Sequence, residues 1–124
     1  MIRKNLRWFL LKLGVFKMKF VGVTSCTVGI AHTYMAREKL VSAAKELGME
    51  GHVETQGSAG TENTLTDDQI KNADAVIIAS DVAIAGQERF AGKPVINVGT
   101  DLAIQKPKSL LKTVEKKLQA ANKL

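Results

Sequence analysis

Five consecutive apolar residues, Ala75-Val76-Ile77-Ile78-Ala79, stand between a polar stretch and Ser80-Asp81. A strand that is apolar at every position has no face to offer water, so it has to be covered on both sides, the situation of a parallel sheet flanked by helices. Three more strands are read around it: Lys19 to Ser25, the weakly alternating Glu50 to Gln56, and the short Pro94 to Val98. Between them runs a helix from about Thr33 to Leu47, with Ala36, Leu40, Ala43, Ala44 and Leu47 at helical spacing and Gly48 as its stop. Gly57 to Thr64 reads as a polar loop, and Thr66-Asp67-Asp68-Gln69 as a capping box that opens a short helix to about Asn72. A last helix starts near Pro107 and presents Leu110, Leu111, Val114, Leu118 and Ala121 to the sheet. The expected fold is α/β: a small, open, mainly parallel four-stranded sheet flanked by helices, a Rossmann-like or flavodoxin-like sandwich with right-handed crossovers. In such folds the ligand crevice lies at the carboxyl ends of the strands, where Cys26, Gln56-Gly57 and Ser80-Asp81 all fall.

A chain of 124 residues, 45% hydrophobic and 24% charged, suits one domain, placed at residues 18–124. The formal charge of +6 suggests nucleic acid until its location is considered. Five of the 18 basic residues (Arg3, Lys4, Arg7, Lys12, Lys17) lie in residues 1–17, which leaves 13 basic against 12 acidic in the domain. Six lysines from Lys106 onward read as the solvated face of the last helix, and Trp8 and Tyr34 are single residues of their kind. A nucleic-acid surface with stacking platforms is therefore not expected. Residues 1–17 form a basic amphipathic extension, read either as a segment lying on an anionic membrane surface or as an upstream extension outside the fold. Its apolar run is too interrupted to span a bilayer and lacks the pattern of a signal peptide. With one cysteine, no internal disulfide and no paired-cysteine metal site is possible, and the cytosol is the expected compartment.

That cysteine, Cys26, ends the first strand and begins Cys26-Thr27-Val28-Gly29-Ile30-Ala31-His32-Thr33, a loop leading into the long helix. Loop amides and the positive end of a helix favour a thiolate, which makes Cys26 a candidate nucleophile; the alternative is a small residue that fills the top of the core. Gly29 and Ala31 let the backbone approach an oxyanion. Neither the Gly-Lys-Ser/Thr ending of a nucleotide loop nor a three-glycine dinucleotide fingerprint is present. A tyrosine-type cysteine phosphatase would carry an arginine six residues after the nucleophile to clamp phosphoryl oxygens, and here that position is His32. His32 is read as a donor to a phosphoryl oxygen or a support for the thiolate, with Thr33 as the helix N-cap; its alternative is a solvated ring at a helix start. Asp81 reads as a supporting site residue; the blander alternatives are an end-of-strand turn residue for Asp81 and a surface base for Arg89.

Three blocks resemble the fructose-type enzyme IIB domains of the bacterial phosphoenolpyruvate-dependent sugar phosphotransferase system. They are Gly29-Ile30-Ala31-His32-Thr33-Tyr34-Met35-Ala36, Val53-Glu54-Thr55-Gln56-Gly57-Ser58 and Arg89-Phe90-Ala91-Gly92-Lys93-Pro94-Val95, within a resemblance covering about Lys19 to Leu118. The resemblance implies a cytoplasmic protein, transiently at the inner face of the membrane. Its cysteine, here Cys26, would take a phosphoryl group from a phosphohistidine of enzyme IIA and pass it to a sugar, fructose or a similar one, held by a membrane enzyme IIC. It implies an oxyanion cradle from the amides of about Val28 to His32, with His32 or Thr33 as side-chain donors, support from Gln56, Gly57 and Asp81, and no cofactor or metal. One departure follows the cysteine: the family usually reads Cys-Pro-Thr-Gly, and this chain Cys26-Thr27-Val28-Gly29. Thr27 restores an amide that proline lacks, while Val28 removes a hydroxyl. The competing readings are a cysteine phosphatase or arsenate-reductase-like protein, a flavodoxin-like module binding a flavin phosphate or another anion, and a regulatory protein that has lost transfer.

Overall fold

The computed structural model describes residues 18–27, 30–58 and 60–121. In chain order the elements are β1 (Lys19–Ser25), α1 (Ile30–Glu46), β2 (Glu50–Gly57), β3 (Gly60–Glu62), α2 (Asp67–Asn72), β4 (Ala75–Ser80), a 3-10 turn (Gln87–Phe90), β5 (Val95–Val98), α3 (Thr100–Gln105) and α4 (Pro107–Ala120). They form one sheet of order β3-β2-β1-β4-β5. β1 is parallel to β2 and β4, β4 is parallel to β5, and β3 is antiparallel to β2. The α/β architecture is the expected one, with five strands in place of four.

The added strand lies in the stretch read as a polar loop. Gly60, with φ +106°, turns the chain so that Thr61 and Glu62 pair with Gln56 and Thr55. All three β3 residues are exposed, so no apolar alternation marks them in the sequence. The six-residue α3 was likewise unexpected; it is too short to display a helical period. Helix α1 begins at Ile30, so the expected N-cap Thr33 is instead a buried residue inside the helix, its carbonyl accepting from Thr24 Oγ1 at 3.1 Å. Ala121 follows α4 and is exposed, not part of the buried stripe of Leu110, Leu111, Val114 and Leu118. The capping box forms as read, with Thr66 and Gln69 exchanging backbone and side-chain hydrogen bonds.

Two buried clusters cover the sheet. On one face Phe20, Ala75, Ile77 and Ala79 meet α1 through Ala36, Leu40, Ala43 and Ala44, and α4 through its buried stripe. On the other, Val21, Val23, Val76 and Ile78 meet Ile70 of α2 and Phe90 of the 3-10 turn. The apolar run of β4 is thus spent on both faces, as its composition requires. At the centre, Gly22 faces Ile77 across the β1–β4 ladder, and a Cβ there would stand 2.9 Å from the Ile77 carbonyl oxygen. Backbone cannot swing away as a side chain can. Gly22→Ala is therefore expected to cost about 2 kcal/mol of stability, read as a lower urea midpoint at unchanged slope.

Candidate active site

The sheet registers assemble the site. Ser25 pairs with Ser80 at the ends of β1 and β4, and Ala79 pairs with Val98 near the end of β5. The residues that follow, Cys26, Asp81 and Thr100, therefore leave three adjacent strand ends. The chain passes from β1 outward to β2 on one side and returns to β4 on the other. The strand order thus reverses between β1 and β4, the position at which open sheets of this kind hold their ligands.

Partly exposed Cys26 donates from Sγ to Asp81 Oδ2 at 3.2 Å, and Sγ lies 3.1 Å from His32 Nδ1. Asp81 is held in turn by Thr100, whose hydroxyl donates to Oδ2 at 2.6 Å and whose amide donates to Oδ1 at 3.1 Å. Hydrogen bonds from the Thr100 hydroxyl, the Cys26 thiol and the Thr100 amide hold the Asp81 carboxyl below its ordinary range. It is thus an ionised acceptor at neutral pH, beside a thiol that must lose its proton to attack. His32 occupies the first turn of α1, with Nε2 3.6 Å from Asp101 Oδ1. That 17-residue helix has no acidic residue in its own first turn, and the carboxylates near its start, Asp81 and Asp101, come from other elements. Among the described residues, Cys26 Sγ, His32 Nδ1 and an Asp81 oxygen also form a set of metal-ligating atoms within 4.8 Å of one another.

Of the expected site residues, the structure brings His32 and Asp81 onto Cys26. Thr27 and Ala31 are exposed beside it, and Ile30 opens α1. Val28 and Gly29, expected in the oxyanion cradle, lie outside the described residues, as does the extension 1–17. Gly57 is exposed at the end of β2, with open space where a Cβ would stand. Gln56 has a tethering position: its amide nitrogen donates to Glu54 at 2.8 Å and to the Ala85 carbonyl at 2.9 Å, and its oxygen accepts from the Ala85 amide at 2.8 Å. Arg89 is not a surface base, the blander of its alternatives. It grips the buried Glu54 carboxylate with two nitrogens, at 2.9 and 3.1 Å. Together these residues fasten the segment that follows Asp81 to β2.

Thr100, Asp101 and Glu54 were missed. The signal for Thr100 was available, since Val98-Gly99-Thr100 repeats the strand-end placement that singled out Cys26 and Asp81. Glu54 has no such marker, because a glutamate in a weakly alternating strand gives no sign of being 1% exposed.

Three comparisons with known proteins agree. A family model described as "PTS system, Lactose/Cellobiose specific IIB subunit" matches residues 21–113. The PTS system fructose-like EIIB component 2 of Escherichia coli is 46% identical over 97 residues, covering 78% of this chain and 92% of that protein. The fructose-specific EIIABC component of Bacillus subtilis is 45% identical over 95 residues, 77% of this chain but 15% of that longer protein. Among solved structures, a domain of the fructose-specific IIABC component from Borrelia burgdorferi superposes with a TM-score of 0.73 at 47% identity, covering 78% of this chain and 92% of that one. The Enzyme IIB subunit of the PTS system from Escherichia coli superposes with a TM-score of 0.79 at 32% identity, covering 86% and 99%.

Proposed function

The chain belongs to the enzyme IIB family of the sugar phosphotransferase system, a family of phosphotransferase domains, and on that premise we propose that Cys26 carries the phosphoryl group as a phosphocysteine. The donor is a phosphohistidine of enzyme IIA, and the acceptor is fructose or a fructose-like sugar held by a membrane enzyme IIC. The observation that carries the proposal is the contact of the Cys26 thiol with Asp81 and His32 at the carboxyl ends of the strands, ahead of the N-terminus of α1.

In the first step Sγ attacks phosphorus in line. The S–P bond forms as the P–N bond breaks, the donor imidazole leaves with the electron pair, and the thiol proton passes to Asp81. Asp81, whose carboxyl is held low, hands that proton on to the departing imidazole and is ionised again. In the second step a sugar hydroxyl attacks, the O–P bond forms as S–P breaks, and the hydroxyl proton passes by way of the same carboxylate to the leaving sulfur, which restores the Cys26 thiol. Splitting one transfer into two displacements needs little from the protein beyond position and field. Here the field comes from the start of α1, and backbone amides of the loop through His32 would cradle the oxygens. Asp81→Asn removes the proton acceptor while keeping a hydrogen-bonding side chain in place. Phosphoryl uptake followed by quenched flow is expected to slow about 100-fold, with the protein still reaching full phosphorylation. Uptake at the wild-type rate would remove Asp81 from the chemistry.

Docking is supported by the apolar residues left outside. Met35, Val82 and Leu102 are the exposed large hydrophobics among the described residues, at 47%, 37% and 39% exposure. Each is close along its element to a site residue: one helical turn after His32, next to Asp81, and two residues after Thr100. A brief protein contact over the cysteine would cover them. Relatives named EIIB'BC and EIIABC carry this unit within longer chains, which supports IIA and IIC as the partners. Among the described residues no helix is long and apolar enough to cross a membrane. On the family's premise, the proposal treats residues 18–124 as one cytoplasmic domain that meets the membrane through its permease, without nucleic acid.

The test is reconstitution. Membranes holding a fructose-type enzyme IIC, supplied with phosphoenolpyruvate, the general phosphotransferase proteins and enzyme IIA, are expected to form sugar phosphate only when this protein is added. Sugar phosphate formed equally well without it, or none with any of several fructose-type partners, would refute the relay.

A further inference from the structure

The groups around Cys26 satisfy a second chemistry that the relay does not use. Sγ lies 3.1 Å from His32 Nδ1 and 3.2 Å from Asp81 Oδ2, and the three groups fall within 4.8 Å of one another. Around a tetrahedral zinc ion, with Zn–S about 2.3 Å and Zn–N or Zn–O about 2.0 Å, ligand atoms stand about 3.3–3.5 Å apart. The two edges at Cys26 therefore have to open by only a few tenths of an ångström to admit the ion, and the His32–Asp81 edge is no longer than 4.8 Å. We propose that Cys26, His32 and Asp81 form a zinc-type metal site with its fourth position open to water, and that metal there switches transfer off.

Two contacts outside the cluster favour this. His32 Nε2 faces the Asp101 carboxylate at 3.6 Å, a neighbour that favours the tautomer protonated at Nε2, in which Nδ1, 3.1 Å from Cys26 Sγ, is free to ligate. That carboxylate–imidazole arrangement is what orients metal-ligating histidines elsewhere. Thr100 fixes the Asp81 carboxylate with its amide on one oxygen and its hydroxyl on the other. The donor set also selects the ion. Sulfur, imidazole and a single carboxylate suit zinc, whereas magnesium and calcium require mostly oxygen.

Binding displaces the thiol proton and occupies the sulfur lone pair that would attack phosphorus, so metal and phosphoryl group exclude each other. This inhibitory consequence rests on the function proposed above; the metal site itself does not.

The test uses the full chain, reduced and free of metal, titrated with Zn²⁺ against a chromophoric chelator and with Co²⁺ as a spectroscopic probe. One equivalent is expected to bind, with a sulfur-to-cobalt charge-transfer band that Cys26→Ser abolishes. His32→Ala and Asp81→Asn weaken zinc binding more than tenfold, and Asp101→Asn weakens it about tenfold by releasing the imidazole. His52→Ala removes the other described histidine, which pairs with Glu50 at 3.4 Å, and leaves affinity unchanged. Absence of stoichiometric uptake, or uptake that survives Cys26→Ser, overturns the site. A protein that binds zinc but accepts no phosphoryl group would keep the site and refute the relay; the reverse result would remove the site alone.

Discussion

Arg89→Ala lowers the unfolding free energy by about 3 kcal/mol at neutral pH, the largest loss expected from a residue outside the apolar core. Glu54 is 1% exposed and satisfies its carboxylate with four donors. The Leu65 amide at 3.0 Å and one guanidinium nitrogen at 2.9 Å serve Oε1; Gln56 at 2.8 Å and the second guanidinium nitrogen at 3.1 Å serve Oε2. Removing Arg89 leaves a buried charge with half its partners and no counter-ion. The Arg89 side chain is itself 25% exposed, so water can replace part of what is lost and the figure lies at the low end for a broken buried pair. Arg89→Lys restores the charge without the two-pronged grip and is expected to recover only part of the loss.

The pH dependence supplies a sign that a simple packing defect would not. Burial pushes the Glu54 carboxyl up, but hydrogen bonds from Arg89, Gln56 and the Leu65 amide outweigh it and hold the group below its usual range. A depressed carboxyl contributes stability that is fully present above its unfolded value, about 4.3, and is lost as pH falls through the lower folded value. In Arg89→Ala the lowering by the guanidinium is gone while burial still raises, so the folded value lies above that of the wild type. Acidification through that window should therefore narrow the gap between variant and wild type, as seen in urea midpoints against pH. A loss below about 1 kcal/mol, or a gap that widens in acid, would show that the pair is a surface contact.

Cys26→Ser is expected to abolish phosphoryl uptake and leave the fold intact. Cys26 is only partly buried, so the smaller serine opens no sealed cavity and can keep the hydrogen bond to Asp81. The change in stability should stay within about 0.5 kcal/mol. Chemically the exchange is severe. A serine hydroxyl at neutral pH is a far poorer nucleophile than a cysteine, and one exposed carboxylate does not compensate. Uptake by the serine variant would mean that the phosphoryl group enters elsewhere, His32 being the nearest other nucleophile.

How far the sequence discloses this molecule depends on the kind of interaction involved. Burial on both faces leaves its mark in composition, so Ala75 to Ala79 announces β4, and the 3.6-residue recurrence of Ala36, Leu40 and Ala43 announces α1. The strand ends then place Cys26 and Asp81 on one edge. What stays hidden is held by polar contacts between residues distant in the chain. Glu54 and Arg89 are 35 residues apart, Asp81 and Thr100 are 19 apart, and β3 pairs through backbone groups that every sequence possesses. None of these has a local period. Arg89 looks like any surface base in the sequence for the same reason, since only the fold reveals that a buried carboxylate lies within its reach.

The central claim is that Cys26 carries a phosphoryl group received from enzyme IIA. Intact mass spectrometry at neutral pH tests it most directly, after incubation of the protein with phosphoenolpyruvate, the general phosphotransferase proteins and a fructose-type enzyme IIA. The account predicts a gain of one phosphoryl group, located to Cys26 in the fragments and absent from Cys26→Ser. No gain while each IIA donor is shown to be phosphorylated, across several such donors, or a gain that persists in Cys26→Ser, would contradict it.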